Sequence, residues 1–204
     1  TEEDDTCIYA IGCDYCSGET DGTGVVVDGA LAQRSSVPQK VNNRLNDLGL
    51  DFSTAARLYV DLIGFHEVGH AFCYALGMEN LNLWFGEFMA TYFSYGFMKD
   101  KYPNYATVWF ELADVIFRDV GTFQYRKLEE FEDNYQAIGF EDPDNYDWYQ
   151  KQFSKMVDQI HETEGIDFVL RVIELFKGKK PTMAETKALL VDAYPQFKEW
   201  FESF

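Results

Sequence analysis

His66-Glu67-Val68-Gly69-His70 sits inside the apolar run 58–76, and its reading decides the fold. Two histidines four apart stand on one face of a helix, one turn above each other. Both imidazoles can then reach one Zn²⁺. The intervening Glu67 lies beside the metal's open position, where it can take a proton from water. The chain holds only three His, so a chance match to this pattern is roughly a few-in-a-thousand event. The plainer alternative is a buried helix with two hydrogen-bonded core histidines.

A catalytic zinc takes three protein ligands and keeps a fourth position for water. Downstream, Leu83-Trp84-Phe85-Gly86-Glu87-Phe88-Met89-Ala90-Thr91-Tyr92-Phe93 reads as a second helix. One face of it carries Glu87, Ala90, Thr91 and Ser94, all small except the Glu. Such a face packs closely on the histidine helix and brings Glu87 to the metal. Phe85, Phe88, Met89 and Tyr92 on the opposite face suit a core. A carboxylate on a small or apolar face needs a partner, because burying it bare is costly. Glu79 also follows the motif, but Gly77-Met78-Glu79-Asn80 reads as a solvated turn, so Glu87 is the expected third ligand. Thr91, one turn further on, can orient a ligand histidine through its hydroxyl.

The pair of motifs resembles the gluzincin metallopeptidases, above all the zinc aminopeptidases of the alanyl-aminopeptidase and leukotriene-hydrolase type. Their second motif reads roughly Leu-Trp-Leu-Asn-Glu-Gly-Phe-Ala-x-Tyr, and Trp84, Glu87, Ala90 and Tyr92 match it in register. Gly86 stands where the family has Asn, and Phe88 where it has Gly. Sixteen residues separate His70 from Glu87, fewer than in the family, so the connecting loop is expected to be tighter. The resemblance covers residues from about 24 to the end.

Composition narrows the function from another side. A chain of 204 residues is long enough for one sizeable core, and it is rich in aromatics, with 18 Phe and 13 Tyr. A net charge of −18 argues against nucleic acid and against anionic membrane surfaces as partners. An acidic face can favour basic substrates, although solubility is the simpler account. The longest apolar run is broken by Asp61, His66, Glu67 and His70, so no membrane span is expected. The chain begins Thr1-Glu2-Glu3-Asp4-Asp5, with neither Met nor a signal peptide, which reads as a processed or trimmed start. Cys7, Cys13 and Cys16 cluster there, and Cys73 follows the metal motif by one turn. Disulfides, free thiols and a structural zinc site are all open. Disulfides would accord with an extracellular, periplasmic or cell-surface protein. Cys73 shares the histidine face and reads as a small buried apolar residue.

Residues 24–32 have the β-branched content of a strand. Gly29-Ala30-Leu31-Ala32-Gln33 resembles the Gly-Ala-Met-Glu-Asn strand of the aminopeptidases, which lines the cleft and pairs with substrate backbone. The resemblance therefore makes Gly29, Ala30, Leu31 and Ala32 the expected substrate-binding segment. Beyond a loop at Ser35-Ser36-Val37-Pro38, Ser53 is the expected N-cap of the metal helix. Helices are then expected over 104–119, over 123–137 after a Thr122 cap, over 142–163, over 166–176 after Gly165, and from Pro181-Thr182 onward. The expected class is α+β, mainly α, in a single zincin-like domain over 1–204. A short β-containing segment with the cysteine cluster would occupy 1–36, and a helical body with the metal site at 66–87 would occupy 37–204.

Tyr149-Gln150-Lys151 ahead of Gly165-Ile166-Asp167-Phe168 resembles the family's Tyr-Glu-Lys before a Gly-x-x-x-Phe. That implies Tyr149 as the donor to the reaction's oxyanion, with Tyr146 and Tyr135 as the other candidates. His161, at the far end of that helix, reads as a surface residue. The expected activity is zinc-dependent hydrolysis of peptide bonds, with His66, His70 and Glu87 as ligands and Glu67 as general base. A peptide or protein is the expected substrate. The family's amine-binding Glu falls at Ala32, which cannot pair with a free α-amine, so cleavage within a chain is expected over aminopeptidase action. A catalytically inactive zinc-binding module on the same scaffold is the rival reading.

Overall fold

The structure, a computed structural model, describes residues 43, 45–104, 106, 107 and 123–204. Every regular element among them is helical: α1 (Phe52–Ala75), α2 (Leu83–Lys101), α3 (Leu128–Glu141), α4 (Pro143–Glu164), α5 (Ile166–Phe176), α6 (Met183–Ala193) and α7 (Gln196–Glu202). This corrects the α+β class. No strand or sheet occurs among the described residues. The strand signal lay in residues 7–10 and 24–32, and those, with the cysteines at 7, 13 and 16, lie outside them. So does most of the helix expected over 104–119. Among the described residues, no helix is long and apolar enough to cross a membrane.

The helix ends follow local chemistry. Asp51, not Ser53, caps α1, its carboxylate accepting from the Thr54 amide at 2.7 Å. An acid two residues upstream is the better acceptor for the exposed N-terminal donors. The helix expected from 123 begins only at Leu128, and residues 123–127 are irregular. There Glu130 accepts from the Arg126 and Lys127 amides at 2.8 and 2.9 Å, so the start is set by a carboxylate three residues inside the helix. Asp142 opens α4, accepting from the Asn145 amide, with Pro143 in its first turn. Gly165 separates α4 from α5 at a φ of 53°, a backbone shape that side chains resist. Thr182 and Glu185 form a reciprocal capping box at α6.

The molecule is built around α2. Trp84, Phe85, Glu87, Phe88, Met89, Ala90, Thr91, Tyr92, Ser94, Tyr95 and Met98 are all buried. A helix covered around most of its circumference, with the Leu83, Gly86 and Phe97 edge left open, belongs at the centre of a core. It packs against α1, α3 and α4. Its aromatic face meets Phe153, Phe168, Phe176, Phe197 and Trp200 in edge-on and tilted contacts with ring centroids 5.2–6.5 Å apart, the separations aromatic pairs favour. The first amides of α2 have no cap of their own. Instead the Glu132 carboxylate accepts from Leu83 and Trp84 at 3.1 and 3.3 Å, locking α3 to the start of α2. Tyr92 anchors the other side by donating to the Gly165 carbonyl at 2.6 Å.

Opposite the aromatics, α2 lies directly on α1. A Cβ on Gly69 would sit 2.5 Å from the Ala90 carbonyl oxygen and 2.8 Å from the Ala90 Cα. The two backbones are in contact at this point, and that contact sets the distance between the histidines and Glu87.

Candidate metal centre

Gly69 lies within the His66–His70 turn, and Ala90 lies one turn after Glu87, so the close approach falls on the motif itself. His66 and Glu87 are buried, and His70 is partly open. His66 Nε2 stands 3.0 Å from Glu87 Oε2, and His70 Nε2 stands 3.5 Å from Glu87 Oε1. The two imidazoles meet edge to face with centroids 4.9 Å apart. Their ligand atoms and one carboxylate oxygen all lie within 4.8 Å of one another. Ligand atoms around a tetrahedral zinc are about 3.3 Å apart, given metal–ligand distances of about 2.0–2.1 Å. The two nitrogen–oxygen separations bracket that spacing, and two imidazoles with a carboxylate form a donor set zinc accepts. The residues present fit the ion.

A ring of polar side chains surrounds Glu87. Tyr135 donates to Oε1 at 2.6 Å. Tyr146 and the Gln150 amide both donate to Oε2 at 2.8 Å. Gln150 also donates to the Tyr146 hydroxyl at 2.9 Å. Thr91 donates to the Gln150 carbonyl oxygen at 3.3 Å, and its hydroxyl lies 3.2 Å from His66 Nδ1. Tyr146 and Gln150 are one turn apart on α4 and reach α2 together. Tyr135 follows Asn134, whose non-helical backbone (φ −123°, ψ 20°) kinks α3 next to the site. Partners of this kind around a ligand carboxylate hold its orientation and raise metal affinity.

Charge balance follows from the same contacts. Burial alone would raise the Glu87 carboxyl, but the charge of His70 and the hydrogen bond from His66 outweigh it and hold the group well below its ordinary value. Burial would likewise lower His66, yet Glu87 and the charge of Glu67 leave it raised. His70 is lowered, chiefly by burial. Glu67 is raised, first by burial and then by the Glu87 charge. It carries no hydrogen bond among the described residues, and a carboxylate raised in this way suits a general base.

A pH dependence follows for the protein kept metal-free with a chelator. His66, raised above 6.5, contributes stability that is complete below that value and is lost as pH rises through the folded one. Glu87, depressed below 4.5, contributes stability that is present above that value and is lost as pH falls through its lowered one. Urea midpoints of the chelated parent should therefore fall as pH rises above about 6.5. In Glu87→Gln this alkaline loss should flatten, since His66 is raised only by its acidic neighbours. An equal alkaline loss in both proteins would contradict the assignment.

The structure brings together His66, Glu67, His70, Glu87 and Thr91, but not Tyr149. Tyr149 is fully buried. Its hydroxyl donates to the Lys127 carbonyl at 2.8 Å, and its ring packs on Phe131 and Phe204. The tyrosines at the cluster are Tyr135 and Tyr146. Tyr149→Phe should then cost about 1 kcal/mol of stability and leave zinc affinity and any turnover near the parent's. Tyr146→Phe should instead weaken the hold on Glu87 and lower zinc affinity about 10-fold or more. Denaturation and zinc titration of the two variants side by side check this, and a reversed pattern would refute it. Gly29, Ala30, Leu31 and Ala32 lie outside the described residues. Cys73 is a buried free thiol pushed up to about 12 by burial, which keeps it neutral and a poor ligand. His161 is half-buried against Tyr92 and Tyr95, rather than on the surface.

No protein-family model matches the chain, and no curated protein or solved structure does either. The gluzincin resemblance therefore rests on the sequence motifs alone.

Proposed function

We propose that this chain is a zinc-dependent metallopeptidase of gluzincin type. The observation that carries the reading is the convergence of His66, His70 and Glu87 at zinc-ligand spacing, with Glu67 beside them. Zinc bound there supplies Lewis acidity for the peptide carbonyl and a lowered pKa for water, to about 7. Glu67 accepts a proton from the attacking water and returns it to the leaving amine. Tyr135 and Tyr146 hold Glu87, and either hydroxyl, once released from it, would be the donor to a developing oxyanion. Cleavage within a peptide, rather than at a free N-terminus, follows from the Ala at position 32.

One observation favours a second reading, a zinc-binding module without turnover. Both tyrosine hydroxyls are already spent on Glu87, so neither is free for an oxyanion unless it moves. Hydrolysis decides between the two. Zinc-loaded protein should cleave N-acetylated internal peptides from a fluorogenic library, and chelator should abolish the cleavage. Zinc uptake without any cleavage would support the module. Faster release from unblocked amino-acid anilides would refute the internal specificity.

A further inference from the structure

The hydrogen bonds between Glu87 and His66 run in one direction only. An ionised carboxylate accepts and never donates, so the Gln150 group 2.8 Å from Glu87 Oε2 must be its NH₂. A flipped amide would press two oxygens together. The Gln150 oxygen then faces Thr91, whose hydroxyl hydrogen goes to it. With that hydrogen committed, Thr91 can only accept at His66, so Nδ1 of His66 carries a proton. Nε2 is left facing Glu87 Oε2 at 3.0 Å. A nitrogen lone pair and a carboxylate oxygen repel at that distance unless a cation joins them, either the second proton of an imidazolium donating to Glu87 or the metal in its place.

We propose that Gln150 is a positioning residue that sets the direction of the Glu87–Gln150–Thr91–His66 chain and so presents Nε2 of His66 to the metal. The proposal rests on the zinc reading of the site. One buried side chain thereby orients two ligands at once, the carboxylate directly and the imidazole through Thr91. Without the Gln150 oxygen, the Thr91 hydroxyl is free to turn and donate to Nδ1. The neutral imidazole then keeps its one proton at Nε2, where Glu87 accepts it and the metal must displace it.

The test is zinc titration of the full chain, stripped of metal, against a chromophoric chelator. Gln150→Met keeps the side-chain volume and removes all three amide hydrogen bonds, to Glu87, to Tyr146 and from Thr91. Thr91→Val removes the hydroxyl at constant shape, and Thr91→Ser keeps it. Gln150→Met and Thr91→Val should each weaken zinc about 10–100-fold. Their combination should be little weaker than the worse single variant, because both break one chain, and Thr91→Ser should stay close to the parent. Parent-like affinity in Gln150→Met, or losses that simply add, would overturn the proposal. Should Gln150→Met fail to fold, the contrast between Thr91→Val and Thr91→Ser decides in its place. Nitrogen-15 spectra of His66 in the metal-free parent give an independent reading. In the neutral imidazole, reached at alkaline pH, Nδ1 should keep the proton and Nε2 should be bare, and a bare Nδ1 there overturns the proposal. A parent that takes up no zinc retires the metallopeptidase reading, and the nitrogen spectra alone then decide the direction of the chain.

Discussion

Glu67→Gln should retain zinc at the parent's stoichiometry and lose about 10²–10⁴-fold in kcat. The substitution keeps the shape and polarity of the side chain and removes only its ability to take a proton. Glu67 is not part of the group at ligand spacing, which is His66, His70 and Glu87. Metal affinity should therefore be spared, and KM should change far less than kcat. The raised pKa of Glu67 stems first from burial, and it should appear as the acidic limb of the parent's rate profile. In Glu67→Gln the residual rate should lack that limb. Full turnover in Glu67→Gln would remove this residue from the chemistry.

Gly69→Val should lower stability by about 1–3 kcal/mol or more, the usual cost of overpacking, and should weaken zinc binding as well. Its Cβ would meet Ala90 backbone atoms at 2.5, 2.8 and 3.0 Å, and backbone in the middle of a helix cannot turn aside. The helices must part by several tenths of an ångström. That motion carries His66 and His70 away from Glu87, so fold and site fail together. Gly86 gives the contrast, one residue before the ligand. Nothing among the described residues lies within 4 Å of a Cβ built there. Gly86→Ala should therefore stabilise by about 0.5–1 kcal/mol through helix propensity. Chemical denaturation with zinc titration on both variants checks the pair. A neutral Gly69→Val would mean that the α1–α2 contact does not set the ligand spacing.

The parts of the site that can be read from sequence are those written at short range. His66 and His70 share a face because they are four apart on one helix. Glu87 could be placed because it interrupts a face of small residues. The boundaries of α4, α5 and α6 were legible from Asp142-Pro143, Gly165 and Thr182, which act within their own turns. What escaped is set by helical phase. Tyr149 and Tyr146 are three apart on α4, and only packing decides which of them turns toward α2. The structure turns Tyr146 and Gln150 to Glu87 and Tyr149 to Phe131 and the C-terminal Phe204. A signal was present, since Tyr146 and Gln150 form a polar pair one turn apart, and a buried Gln needs partners. The α+β class failed for a different reason. It drew its strands from residues 7–10 and 24–32, whereas the described residues build their whole core from helices around α2.

The account stands on one metal ion held by His66, His70 and Glu87, and zinc-edge X-ray absorption on the loaded full chain tests this most directly. The account predicts nitrogen and oxygen scatterers alone at about 2.0–2.2 Å, with the outer-shell pattern of two imidazoles. In Glu87→Ala that signal should weaken or vanish with the bound zinc. A sulfur shell near 2.3 Å, unchanged in Glu87→Ala, would place the zinc on cysteines and contradict the assignment.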